Sequence, residues 1–144
     1  MYNTFIIMNV LDYTPDFTKL ADLFSLLGQP SRLQILLVIG QGEACVCHIE
    51  AVLGLRQAYI SQQLMGLRKA GLVTFHRDSR NIFYRLTQPK MVHILEQAAK
   101  LIGTDPELLN SFNVRPVPNC PCPQCNPGID PNLTCRTIAS SKKS

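Results

Sequence analysis

Apolar residues recur at helical spacing from Phe17 through Leu20, Leu23, Phe24 and Leu27, and the run stops at Gly28 ahead of Pro30. A helix is predicted there, with Thr14 or Asp16 able to cap its start. A second helix is predicted over residues 31–39, where Leu33, Leu36 and Leu37 are apolar and Gly40 and Gly42 close the run. A third covers residues 46–53. Gly54 supplies a corner, and a fourth helix follows over residues 57–70, closed by Gly71. The period then changes. Residues 72–76 and 82–86 are short β-prone runs separated by the polar stretch Arg77-Asp78-Ser79-Arg80-Asn81, which predicts a hairpin with a charged tip. Met91, Ile94, Leu95, Ala98 and Ile102 mark a last helix over residues 90–102, ended by Gly103. The fold class is therefore mainly α with a small β-hairpin.

Past residue 105 the pattern is lost. Seven of the ten prolines lie from Pro106 to Pro131, and four of the six cysteines lie past residue 105. Proline fixes φ and removes a donor, so little regular structure is expected. The organisation read from the chain is an N-terminal arm (residues 1–15), a folded domain (16–104) and a Cys/Pro-rich tail (105–144). A chain of 144 residues with 46% hydrophobic and 17% charged residues is expected to form one core, not a disordered coil. No apolar run approaches the ~20 residues that span a bilayer. The opening MYNTFIIMNV lacks a basic start and a cleavage site, so the expected setting is the cytoplasm, with no membrane partner.

Charge is unevenly placed. Residues 1–50 carry two Lys/Arg against five Asp/Glu, whereas residues 51–100 carry eight against two. A basic middle third is what a footprint for phosphates looks like. It coincides with the paired helices around Gly54. Ile49 and Leu53 line one helix and Ile60, Leu64 and Leu67 the next, which leaves Gln57, Ser61, Gln62 and Arg68 on the outward face. Gln pairs bidentately with adenine and Ser bonds to several bases, so this face is suited to reading base edges. Arg56, Arg68 and Lys69 would grip phosphates, which adds affinity without sequence information. The hairpin that follows, with His76, Arg77 and Arg80 near its tip, reads as a wing.

Several blocks in register then carry a resemblance. They are the run from Leu23 to Leu36 (LFSLLGQPSRLQIL), Ala58-Tyr59-Ile60-Ser61-Gln62-Gln63-Leu64, Leu67-Arg68-Lys69-Ala70-Gly71-Leu72-Val73, and Phe83-Tyr84-Arg85-Leu86. Over roughly residues 17–102 the chain resembles the ArsR/SmtB family of metal(loid)-responsive repressors. The resemblance implies a winged helix-turn-helix homodimer, paired mainly through its first and last helices. It implies binding to double-stranded operator DNA with an inverted repeat and release when an inducer binds. It also brings Ala58 and Tyr59 into the DNA-reading set. Two recognition helices in successive major grooves, about 34–36 Å apart, fit that two-fold logic.

The cysteines point to soft-ion chemistry. Thiol clusters in a reducing compartment more often bind metal or sense redox state than form disulfides. Cys45 and Cys47 match the Cys-Val-Cys of the family's thiol-dependent sensors, whose inducers are arsenic(III), antimony(III), cadmium or lead. The third cysteine of some arsenic sensors would fall at Glu50 and is absent, and His48 stands near where Asp is usual. If Cys45 and Cys47 both lie on a regular helix they point about 200° apart, and gripping one ion bends the helix start. Further ligands are expected from Cys120, Cys122 and Cys125 in the tail, with Cys135 beyond. Three readings of the tail stay open. It docks over Cys45 and Cys47 to complete a sensing site; its four cysteines alone hold structural zinc; or it is an unstructured thiol buffer. His93 and Glu96, at i and i+3, match only half of the family's zinc set. They read as an ordinary surface or core pair. Nothing in the chain groups as catalytic residues, so an enzyme is not expected. The competing readings are a thiol/disulfide redox-sensing repressor and a zinc-buffering protein.

Overall fold

The computed structural model describes residues 14–130 and Thr134. The predicted arm, apart from its last two residues, and Cys135 lie outside the described residues. Two compact units are distinguished, Met1–Leu33 and Gln34–Ser144. In the first, helix α1 spans Thr14–Leu27 and leaves Phe17, Leu20 and Phe24 exposed along one stripe. Arg32 ties the turn that follows, donating from Nη1 to the Leu26 carbonyl at 3.2 Å. Helix α2, Pro30–Ile39, begins at a proline, which suits a helix start because its missing N–H has no partner there.

In the second unit, five consecutive residues of α2 from Ile35 to Ile39 are buried, which makes it the central helix of the core. Around it come β1 (Glu43–Cys45), α3 (Val46–Leu53), α4 (Gln57–Lys69), β2 (Val73–Asp78), β3 (Asn81–Leu86) and α5 (Met91–Leu101). Ile49, Ile60, Leu64 and Leu67 are fully buried, so α3 and α4 meet through the apolar faces that their periodicity marked. Gly54 turns between them at φ 68°, in the left-handed region that favours glycine, and its N–H closes α3 on the Glu50 carbonyl at 2.8 Å.

Three features depart from the sequence-based expectation. The sheet has three strands, ordered β1-β3-β2, not two. β1 is too short to show an alternating pattern, and it exists because Glu43, Ala44 and Cys45 pair with Arg85, Tyr84 and Phe83. Next, the hairpin is tighter than its polar tip suggests. Strand pairing continues through Asp78 and Asn81, and Ser79 adopts φ 57° in the two-residue turn. Lastly, regular structure reaches into the predicted tail, with a short helix α6 at Glu107–Asn110 and a 3-10 turn at Ser111–Asn113.

That turn packs on the end of α2. Gly40 sits at φ 57°, and a Cβ there would lie 2.9 Å from Asn113 Nδ2. At Gly54 a Cβ would meet nothing within 4 Å. Gly54→Ala should therefore cost only the left-handed backbone term, about 1 kcal/mol. Gly40→Ala should lower stability further, by about 2 kcal/mol or more in total, because Asn113 must also move. Urea unfolding of the two variants checks this; equal losses would mean that Asn113 does not rest on Gly40.

Candidate metal centre and nucleic-acid interface

Helix α4 buries Ile60, Gln63, Leu64 and Leu67, which turns Gln57, Ala58, Ser61 and Gln62 outward, with Tyr59 half-buried beside them. Arg56 is the exposed N-cap and Lys69 the exposed last residue of the helix. The Arg68 guanidinium lies 4.1 Å over the Phe75 ring, a cation–π contact that ties the end of α4 to β2. Arg77 and Arg80 are exposed at the hairpin tip. His76 is placed differently from its neighbours. Its Nε2 lies 2.9 Å from Glu43 Oε2, and its ring meets Phe83 edge-on at 5.5 Å.

The tail folds back onto the start of α3. The Sγ atoms of Cys120, Cys122 and Cys125 lie 3.5, 3.6 and 3.3 Å from Nδ1 of His48. All four donor atoms are within 4.8 Å of one another, and His48 and Cys122 are fully buried. A tetrahedral ion with bonds of about 2.0–2.3 Å spaces its donors about 3.3–3.8 Å apart, and the three sulfur-to-Nδ1 separations fall in that range. Backbone N–H groups already point at sulfur: Val117 N donates to Cys125 Sγ and Cys125 N to Cys122 Sγ, each at 3.3 Å. Asn126 holds the loop by donating to the carbonyls of Cys120 and Cys122. Prolines at 121 and 123 keep this segment from coiling into a helix, which leaves three sulfurs on one side.

The three thiols shift one another's acidity in opposite directions. Cys122 is held below the usual thiol range chiefly because the Cys120 S–H donates to it, with His48 adding to the effect. Contact with Cys45 and burial act the other way on Cys122. Cys120, the donor of that pair, is pushed strongly upward, and burial reinforces this. Burial also raises Cys125. Arg115 Nε donates to His48 Nε2 at 3.5 Å, so the neutral ring carries its proton on Nδ1, facing the sulfurs. A metal ion would occupy the place of that proton.

Of the metal-ligating residues read from sequence, Cys120, Cys122 and Cys125 are thus brought together, and the fourth donor in reach is His48. Cys45 is buried in one packed group with Phe83, Cys120 and Cys122, and Cys47 packs against that group. Neither belongs to the set of four. Cys45 also lies in β1 as the N-cap of α3, with extended backbone, so the two thiols are not i and i+2 of one helix. The expected bending of the helix start is unnecessary. None of the five described cysteines is in a disulfide. His93 and Glu96 face each other on α5 at 3.8 Å, with His93 largely exposed.

Sequence reasoning left the role of His48 open and passed over Glu43, Arg115 and Gln124. The Glu43 carboxylate accepts from Arg85 Nη2 at 2.9 Å and from Gln124 Nε2 at 3.4 Å while also pairing with His76. Its backbone carbonyl accepts from Arg115. The one available signal was a histidine directly after Cys-Val-Cys; nothing local marks the other three.

A helix-turn-helix followed by an antiparallel hairpin defines a winged helix-turn-helix DNA-binding regulator. The family model for bacterial regulatory proteins of the arsR family matches residues 29–74. The biofilm growth-associated repressor of Agrobacterium fabrum is 42% identical over 79 residues, covering 55% of this chain and 68% of that protein. A transcriptional repressor SmtB homolog of Synechocystis is 32% identical over 81 residues, 56% of this chain and 61% of that protein. Among solved structures, the transcriptional repressor BigR from Xylella fastidiosa superposes with a TM-score of 0.56 at 32% identity, covering 62% of this chain and 92% of that one. The chain belongs to the arsR family. Among the described residues, no helix is long and apolar enough to cross a membrane.

Proposed function

We propose that the protein is a cytoplasmic, homodimeric transcriptional repressor that leaves an inverted-repeat operator when a soft metal(loid) ion binds its tail thiols. The observation that carries this reading is the juncture of Cys120, Cys122 and Cys125 with His48, a residue of the first helix of the helix-turn-helix. An ion bound there supplies a crosslink between tail and DNA-reading domain. Three sulfurs alone suit arsenic(III), antimony(III) or lead; with the imidazole added, the set suits cadmium or zinc. The repressor activity is taken from the relatives described above, which carry that name. The dimer is supported by apolar side chains left exposed on α1 (Phe17, Phe24) and at the end of α5 (Leu101, Ile102).

Release requires that the ion change the DNA-reading parts, and Glu43 is the joint best placed to pass that on. Gln124 lies between ligands Cys122 and Cys125, and its amide reaches the carboxylate that holds His76 and Arg85 in the wing. Movement of the ligand loop on ion binding therefore bears directly on the base of the wing.

Three measurements test the proposal. First, operator-bound protein is titrated separately with arsenite, cadmium, lead and zinc, alongside a chain truncated after Asn119. Release by at least one ion, abolished by the truncation, is expected. Absence of release by every ion would overturn metal sensing and favour the thiol redox reading. Second, Gln57→Ala should cost about 1–3 kcal/mol on the specific operator and relax base preference. Arg80→Ala should weaken all sequences alike and reduce the salt slope by about 1. Third, Glu43→Gln should keep ion binding and operator binding yet shrink the ion-induced loss of operator affinity by about 5-fold or more. An unchanged loss would remove Glu43 from the coupling.

A further inference from the structure

A two-residue turn at a hairpin tip leaves its neighbours open to solvent, and Arg77, Asp78, Ser79 and Arg80 are all exposed. Asn81, the next residue, is only 5% exposed. Its side-chain amide donates to Thr134 Oγ1 at 3.5 Å, and Thr134 is itself only 6% exposed. The tail therefore meets the DNA-reading domain twice, at the start of α3 through Cys120, Cys122 and Cys125 and again at the wing tip through Thr134. Charge along the tail divides at that second meeting point. From residue 105 to 133 the chain carries Asp105, Glu107 and Asp130 against Arg115 alone. From residue 135 to 144 it carries Arg136, Lys142 and Lys143 and no acidic residue.

On the DNA-binding reading above, we propose that residues 135–144 are a further DNA-contacting segment, started from the wing tip and gripping backbone phosphates beside those taken by Arg77 and Arg80. The bond to Asn81 sets the start of the basic segment next to Arg80. Three more cations near two exposed arginines raise the like-charge density at the tip, which is unfavourable unless a polyanion draws them together. The polyanion that a wing meets is the DNA backbone. Reach is sufficient: ten residues span at most about 33–36 Å, and phosphates along one strand follow at about 3.4 Å of axial rise. Arg136, Lys142 and Lys143 can therefore engage separate phosphates. Contacts of this kind add affinity for every sequence alike, so base choice stays with Gln57, Ser61 and Gln62 on α4.

The test measures binding of the reduced, metal-free, full-length protein to a random-sequence DNA duplex by fluorescence anisotropy across a salt series. Arg136→Gln/Lys142→Gln/Lys143→Gln should reduce the salt slope by about 2–3 per chain, because each phosphate contact contributes about 0.9. Thr134→Val keeps the side-chain shape and removes the acceptor. It should weaken the parent by about 2–5-fold, through a lower effective concentration of the segment at the DNA, and leave the triple variant unchanged. Far-UV circular dichroism confirms the fold of each variant. A triple variant with the parent's slope overturns the segment's contact with DNA and leaves the helix-turn-helix reading intact. A Thr134→Val loss of equal size in both backgrounds, or in neither, overturns the anchoring at the wing. Absence of salt-dependent binding by the parent would overturn both this inference and the DNA-binding reading.

Discussion

Pairing of Glu43–Cys45 with Arg85–Phe83 is the constraint on which the functional geometry depends. Three residues make a poor strand on their own, since a short segment gains too few bonds to offset the entropy of ordering it. Added to a hairpin that already exists, the same residues complete a sheet and fix the chain immediately before α3. Cys45, Phe83 and His76 then occupy one rung across β1, β3 and β2. Partners on a rung project to the same face, so one sheet face carries a thiol, the aromatic ring that packs on the cysteine cluster, and the wing histidine.

The tail uses this platform. Cys120 and Cys122 are buried against Cys45 and Phe83, and Arg115 and Gln124 bond to the carbonyl and carboxylate of Glu43. The buried sulfurs satisfy one another, with the Cys120 S–H and the His48 imidazole both in contact with the Cys122 sulfur. The same arrangement is a preformed donor set, so an ion entering there would meet little reorganisation. Wing, first reading helix and tail are thereby joined through a few side chains. A change in ligand state at the sulfurs has a short physical route to residues that flank DNA in a winged helix.

Much of the fold was legible because it rests on repeated local patterns. The stripes Ile49/Leu53 and Ile60/Leu64/Leu67 located α3 and α4, and Gly54 located the corner, since few other residues accept its φ. The outward positions Gln57, Ser61 and Gln62 followed from the same periodicity. The hairpin was legible too, although its turn closed more tightly because Ser79 takes a left-handed conformation. β1 was not legible. Its three residues carry no period, and their partners lie some forty positions further along the chain.

The candidate metal centre divides along the same line. Composition and spacing alone singled out Cys120, Cys122 and Cys125 as a thiol cluster, because prolines between cysteines exclude a helix and leave sulfur available. The companion of those thiols was decided by tertiary structure. His48 completes the set of four because α3 begins where β1 ends, which aims the imidazole at the returning tail, whereas Cys45 packs with Phe83, Cys120 and Cys122 without joining that set. Local sequence determines which groups can bind a soft ion and which helix face can read DNA. Which of those groups meet depends on long-range pairing and packing, which no window along the chain records.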